Sequence, residues 1–183
     1  GELTVNPVPI DVRSIVEVHL RIYSYLSNGR NIRMVNRVSD QLPYALADES
    51  RFGQIIGNLL DNAIKHTQNG MIEVSAAVHN GMIEISVQDT GEGIEEEEIP
   101  NIFEPFKSLN SSMDYQGFGL GLAIVRQLVE LQNGEISVSS VKGEGTRFTF
   151  ALPVAKNSDH TETYRRRIES PVKEPEYSFK TPL

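Results

Sequence analysis

Asn58 and Asn62 stand one helical turn apart in the stretch "NLLDNAIKHT", and Lys65 and His66 follow within the next turn. At about 100° per residue, Asn58, Asn62 and Lys65 fall within an arc of roughly 60°. That arc borders an apolar stripe of Phe52, Ile55, Ile56, Leu59, Leu60, Ala63 and Ile64 rather than opposing it. Asparagine costs up to about 0.7 kcal/mol against alanine inside a helix, so two on one side call for a reason. An amide oxygen is a hard, neutral ligand suited to Mg²⁺, and a lysine ammonium suits a phosphate as a point charge. The same residues also read as a solvated helix surface, and this helix alone does not separate the two.

Other stretches carry chemistry of the same kind. "DTGEGI", Asp89 to Ile94, directly follows the alternating "ISVQ". A carboxylate at the end of a strand is placed to accept from an exocyclic amine, and Gly91 and Gly93 let backbone approach a flat ligand without β-carbons in the way. Taken alone, it also reads as an acidic turn. "GFGLGLAIV" leads Gly117, Gly119 and Gly121 into a helix whose free N-terminal amides suit phosphate. Its spacing is neither the dinucleotide GxGxxG, because Leu122 stands last, nor GxxxxGK[ST]. "GEGT", Gly143 to Thr146, reads by itself as a hairpin turn.

The elements that must position these residues follow from periodicity and caps. Residues 1–10, with Pro7 and Pro9, read as an extended lead-in. Asp11 caps a helix with Val12, Ile15, Val16, Ile22 and Leu26 on one face, stopping near Asn28–Gly29. "NIRMVNRV" and "YALA" read as short strands, and Asp48 caps the asparagine-bearing helix, which Asn69–Gly70 ends. "MIEVSAAV" and "MIEISVQ" form a hairpin around Asn80–Gly81. Residues 89–119 lose periodicity around "NIFEPF"; a third helix runs from about Leu120 to Gln132 and ends at Asn133–Gly134. "EISVSSV" and "TRFTFALP" close the domain as a second hairpin. From Lys156 the chain turns polar and proline-containing, as a linker does.

The bulk composition narrows the classes. A chain of 183 residues is enough for one domain with a sizeable core, and 39% hydrophobic and 23% charged residues are ordinary for a soluble protein. A formal charge of −8 argues against nucleic acid and against direct contact with anionic membranes. The absence of cysteine excludes a disulfide framework and thiolate zinc sites, and a reducing, cytoplasmic setting fits. There is no 18-residue apolar run and no signal peptide, and an initial glycine suggests a piece of a longer protein.

In this order the motifs are more specific than any one of them. They resemble the histidine-kinase-type ATP-binding domain, of the superfamily shared with DNA gyrase, heat-shock chaperone and mismatch-repair ATPases. "NLLDNAIKHT" looks like its asparagine box, "DTGEGI" its first glycine box, "FEPF" its phenylalanine box, "GFGLGLAIV" its second glycine box, and "GEGTRFTFALP" its closing box and strand. The resemblance covers about residues 10–154. It implies an α+β fold of the Bergerat type, a two-layer α/β sandwich with three main helices on a mixed sheet. Residues 1–155 would be the catalytic ATP-binding domain and 156–183 a polar linker or tail, read as a linker to a receiver domain rather than as a plain terminus.

The resemblance also assigns roles. Asp89 would accept from the adenine amino group with Thr146 nearby, while Gly91, Gly93, Ile94 and Phe103 would belong to the nucleotide site. Asn62 would supply its oxygen to Mg²⁺, Asn58 would line the phosphate site, Lys65 would pair with a phosphate, and His66 would lie near phosphate or ribose. Gly117, Gly119, Leu120, Gly121 and Leu122 would hold the β- and γ-phosphates, under a lid spanning about residues 107–116. ATP-hydrolysing relatives generally carry a glutamate where Asn58 stands. An amide takes no proton at neutral pH, so the implied reaction is phosphoryl transfer to a histidine, with Asn58 and Lys65 as the catalytic pair. The implied partners are dimerisation and phosphoacceptor helices of the same protein and a response regulator or receiver domain. The alternatives are a degenerate nucleotide-binding regulatory domain and a stand-alone ATPase or serine kinase.

The pattern departs in places. His19, His79 and His160 lack the setting of a phosphoacceptor, and His19 and His79 read as plain surface or boundary residues. Lys107 and Ser108 stand where the family often has an aromatic and an arginine, and Asn133 where it has a histidine. "EEEE" at 95–98 reads as a solvated helix start.

Overall fold

Asp11 and Asp48 begin the first two helices as their side chains dictate. The Asp11 carboxylate accepts from the Ser14 amide at 3.1 Å and opens α1, Val12–Leu26. That of Asp48 accepts from the Arg51 amide at 3.0 Å and opens α2, Glu49–His66. The computed structural model describes residues 4–27, 29–105 and 120–156. Gly117, Gly119, the expected lid with Lys107 and Ser108, His160 and the tail 157–183 lie outside the described residues.

The strands are β1, Val8–Ile10; β2, Asn31–Asn36; β3, Ala45–Ala47; β4, Asn69–His79; β5, Met82–Asp89; β6, Ile136–Val141; and β7, Gly145–Pro153. α3, Gly121–Glu130, lies between β5 and β6, after a single 3-10 turn at Ile99–Asn101. Five strands form one mixed sheet in the order β2-β4-β5-β7-β6, with β2 and β4 parallel and the other pairs antiparallel. β1 pairs with β3 beside it, so the proline-bearing lead-in is a strand rather than merely extended.

Strand alternation sets the layers. Ile72, Val74, Ile83, Ile85, Val87, Phe148, Phe150 and Leu152 are buried on one face. Phe52, Ile55, Ile56, Leu59 and Leu60 of α2 are fully buried against them, and Phe52 meets Phe150 at 6.0 Å between centroids. Each such side chain contributes about 1.5–3 kcal/mol through burial. The other face carries Glu73, Ser75, Glu84, Ser86, Gln88 and Thr149, which suits water. The structure is the expected two-layer α/β sandwich, with three helices over a mixed sheet.

Two boundaries differ from expectation. α2 stops at His66, three residues before Asn69–Gly70, because those two residues open β4 and pair with Asn31 and Ile32 of β2. The Arg30 guanidinium donates to the Ile64 carbonyl, satisfying an exposed helix end with a cation where the dipole favours one. α3 ends at Glu130, and Gln132 then folds inward. Its buried side chain donates to the Leu128 carbonyl at 3.1 Å and accepts from the Asp48 amide at 2.7 Å, tying the end of α3 to the start of α2. The turns behave as their residues require: Asn80, Gly81 and Asn133 adopt φ of 49°, 77° and 58°.

Candidate functional site

Asp89 is the last residue of β5 and stands directly across from Thr146 on β7. Both are buried, 4% and 6% exposed. The Gly91 amide donates to Asp89 Oδ1 at 2.8 Å. Burial pushes the Asp89 carboxyl above the usual carboxylate range, and the Gly91 and Thr146 amides, His66 and the Thr67 hydroxyl pull it back only in part. Such a group can accept from a buried donor while losing some of its preference for charge.

The glycines around it serve the protein's own backbone. A β-carbon on Gly91 would stand 2.2 Å from the His66 carbonyl oxygen, and one on Gly93 would stand 2.1 Å from that of Val141. Gly93 also holds φ at 65°. Their small size therefore lets the loop close against α2 and the β6–β7 turn. Gly91 and Gly93, expected from sequence to admit a flat ligand, here make room for the protein's own backbone.

Beside Asp89 and Thr146, a cleft is lined by Asn62 and His66 of α2, Gly93 and Ile94 of the loop, and Leu122 of α3. Asn62 makes no hydrogen bond to protein among the described residues, so its amide is available to the cleft. Asn58 donates to the Gln54 carbonyl at 2.9 Å, which leaves its oxygen 3.6 Å from where a β-carbon on Gly121 would stand. Leu120, the N-cap of α3, supplies no side-chain cap, so the first-turn amides of Gly121 and Leu122 lack one. The middle of the asparagine helix thus meets the start of the glycine-led helix.

Other expected residues stand apart. Lys65 turns to Asp61 at 2.5 Å and lines a neighbouring hollow with Gly91, and the His66–Glu92 pair, 2.6 Å apart, lies between the two spaces. Phe103 sets its ring edge-on to Phe148, 6.2 Å between centroids, and so packs toward the sheet. Glu92, Glu98 and Lys142 also line the cleft. Sequence gave no sign of Lys142, which arrives from the β6–β7 turn and pairs with Glu95 at 3.5 Å. Glu95, Glu96 and Glu97 are exposed, as a solvated acidic run would be. His19 is half-buried, with Nδ1 against the Ile15 carbonyl at 2.9 Å and its ring over Gly53 in the α1–α2 groove; His79 is exposed.

Among the described residues no group of three or more His, Cys, Asp or Glu side chains could hold a metal. A donor set with one free amide, Asn62, and no carboxylate cluster would fit a Mg²⁺ whose remaining ligands come with a phosphate-bearing ligand.

Residues 47–156 match the family of histidine kinase-, DNA gyrase B-, and HSP90-like ATPases. The chain belongs to this family. Its members include close relatives in sequence: the sensor protein GacS of Pseudomonas syringae pv. syringae is 34% identical over 170 residues, covering 88% of this chain and 19% of GacS. Full-length ShkA in complex with AMPPNP superposes with a TM-score of 0.76 at 31% identity, over 85% of this chain and 33% of ShkA. The catalytic domain of the histidine kinase ThkA superposes at 0.71 with 25% identity, over 83% of this chain and 97% of that domain. This ATPase-family chain spans about a fifth of the length of GacS. Among its described residues no helix is long and apolar enough to cross a membrane.

Proposed function

We propose that this domain binds Mg²⁺–ATP and holds the γ-phosphoryl group for attack by a histidine on a helix outside these residues. One observation supports the reading: the Asn62 amide, without a protein partner among the described residues, Thr146, which stands across from Asp89, and Leu122 in the first turn of α3 line one cleft from three separate elements. Asp89 accepts from the adenine amino group. The Gly121 and Leu122 amides face phosphate oxygens, and Lys65 exchanges Asp61 for a phosphate. Mg²⁺, held in part by Asn62, neutralises phosphate charge during transfer. Asn58 positions the phosphates without taking a proton from water, so positioning and charge stabilisation do the work.

The enclosed part of the cleft measures about 40 Å³, room for about one water, so a purine enters as its walls part. The phosphoacceptor helices and a receiver domain or response regulator are the fitting partners. ATP as substrate implies a cytoplasmic setting, which includes the cytosolic part of a membrane-bound sensor. Calorimetric titration with Mg²⁺–ATP tests binding. Extending the chain at its N-terminus and assaying for acid-labile, base-stable phosphate tests transfer to histidine. Asn58→Glu should raise ATP hydrolysis; an unchanged rate would count against the role given to Asn58 while leaving binding intact.

A further inference from the structure

Glycine is among the poorest helix formers, yet α2 carries Gly53 and Gly57 one turn apart in its interior. Both face α1. A β-carbon on Gly53 would stand 3.3 Å from the His19 ring, and one on Gly57 would stand 3.2 Å from the Tyr23 hydroxyl oxygen. His19 and Tyr23 are themselves one turn apart on α1, so two bulky polar side chains fit over two places that lack one. His19 sets Nδ1 against the Ile15 carbonyl of its own helix at 2.9 Å. Tyr23 has no such commitment: it packs against the core, and its hydroxyl has no hydrogen-bond partner among the described residues.

Asp61 stands one turn beyond Gly57 on the same face of α2. Residues four apart on a helix set their β-carbons about 5–6 Å apart, and helical side chains lean toward the N-terminus. The Asp61 carboxylate therefore lies within reach of the Tyr23 hydroxyl on one side. From the other side Lys65, a further turn on, reaches back to Asp61 Oδ2 at 2.5 Å. Burial, and after it the Asp61 charge, raises the Tyr23 hydroxyl above its ordinary range, which keeps its proton in place for donation. The carboxylate is flanked by two donors, one engaged and one waiting.

We propose that Tyr23 is a positioning residue for the phosphate-binding lysine: its hydroxyl takes over Asp61 when Lys65 turns to phosphate. If Lys65 left with nothing in its place, it would strand a carboxylate, and a hydroxyl that donates to Asp61 offsets part of that cost. Tyr23 acts through Asp61 and from α1, with no contact to phosphate of its own. The inference rests on the exchange of Lys65 from Asp61 to phosphate given above, and deepens it by naming what Asp61 receives in return.

The test uses the full 183-residue chain, with Tyr23→Phe, Asp61→Asn, the two combined, and Lys65→Met. It measures nucleotide-free melting temperatures and calorimetric affinities for Mg²⁺–ATP at low salt. Tyr23→Phe should melt as the parent does, because the hydroxyl it removes is unpaired in the empty domain. It should weaken Mg²⁺–ATP about threefold, the low end for a hydrogen bond because the carboxylate is exposed. In Asp61→Asn there is no charge to strand, so adding Tyr23→Phe should change nothing further. An equal loss in both backgrounds would make Tyr23 a packing residue between the helices and overturn the proposal. Full affinity in Tyr23→Phe, with binding weakened by Lys65→Met, would overturn it and leave the nucleotide reading intact. Full affinity in Lys65→Met would remove the phosphate role of Lys65 and the proposal with it. A parent chain that binds no Mg²⁺–ATP would overturn the nucleotide reading as well.

Discussion

Two regions beside the cleft are built differently. At the Asp89 end the groups are buried, fixed by backbone and held by neighbouring strands: Asp89 is opposite Thr146, Gly93 is pressed against Val141, and Gly145 against the Asp89 carbonyl. Along the Asn58–Lys65 face of α2 the groups are occupied with neighbours on the same helix, Lys65 with Asp61 and Asn58 with Gln54. A rigid end reads shape and hydrogen-bond pattern before the ligand arrives. The polar helix face would have to rearrange for a phosphate. Base selection should therefore fail abruptly on mutation, and phosphate binding gradually.

Asp89→Asn should break the contrast hardest. It replaces an acceptor with a group that also presents a donor to the amine, and ADP affinity should fall about a hundred- to a thousandfold by calorimetry. The empty domain should not lose stability, because burial already disfavours the charge. The same shift fixes a pH dependence. A carboxyl with a raised folded-state pKa contributes stability that is complete below its unfolded value and lost as pH rises through the folded one. In the proposed reading ADP binding needs the charged form, so affinity should fall on acidification at a higher pH than an exposed aspartate titrates. His66 and Glu92 face the same region, so the profile should be repeated in Glu92→Gln.

Gly93→Ala comes next. It places a β-carbon 2.1 Å from a backbone oxygen at φ of 65° and should cost about 3 kcal/mol in urea unfolding. A loss below 1 kcal/mol would mean that the loop shifts freely and that this end is not rigid. Asn62→Ala should weaken Mg²⁺–ADP about tenfold and barely affect ADP in EDTA, and an equal loss in both would remove the metal role. Asp61→Asn should have the smallest effect. Freeing Lys65 from an exposed pair should raise nucleotide affinity about twofold at low salt, with the gain disappearing in high salt.

Much of this architecture was legible locally. Asp11 and Asp48 announced their helices, the apolar stripe of α2 named its buried face, and Asn80–Gly81 named its turn, because each signal acts within a few residues. The end of α2 was misplaced for the converse reason. Asn69–Gly70 has turn chemistry, but it pairs with Asn31 and Ile32, nearly forty residues earlier, and that ladder decided its conformation. Within the site, the asparagine and glycine motifs pointed to the residues that line the cleft or its neighbours. Lys142 gave no signal and Glu98 read only as part of a solvated acidic run, because nothing near them in sequence shows which turn lies over which helix.

The sequence by itself determined the order of elements, the apolar faces and the identity of an amide, carboxylate and glycine set suited to a nucleoside triphosphate. Only the tertiary structure decided which of those groups is free. Thr146 has no proton to give because Ser140, Gly145 and Ile94 meet around it. Whether a buried hydroxyl is spent or available depends on atoms contributed by distant segments, and local patterning carries no record of them.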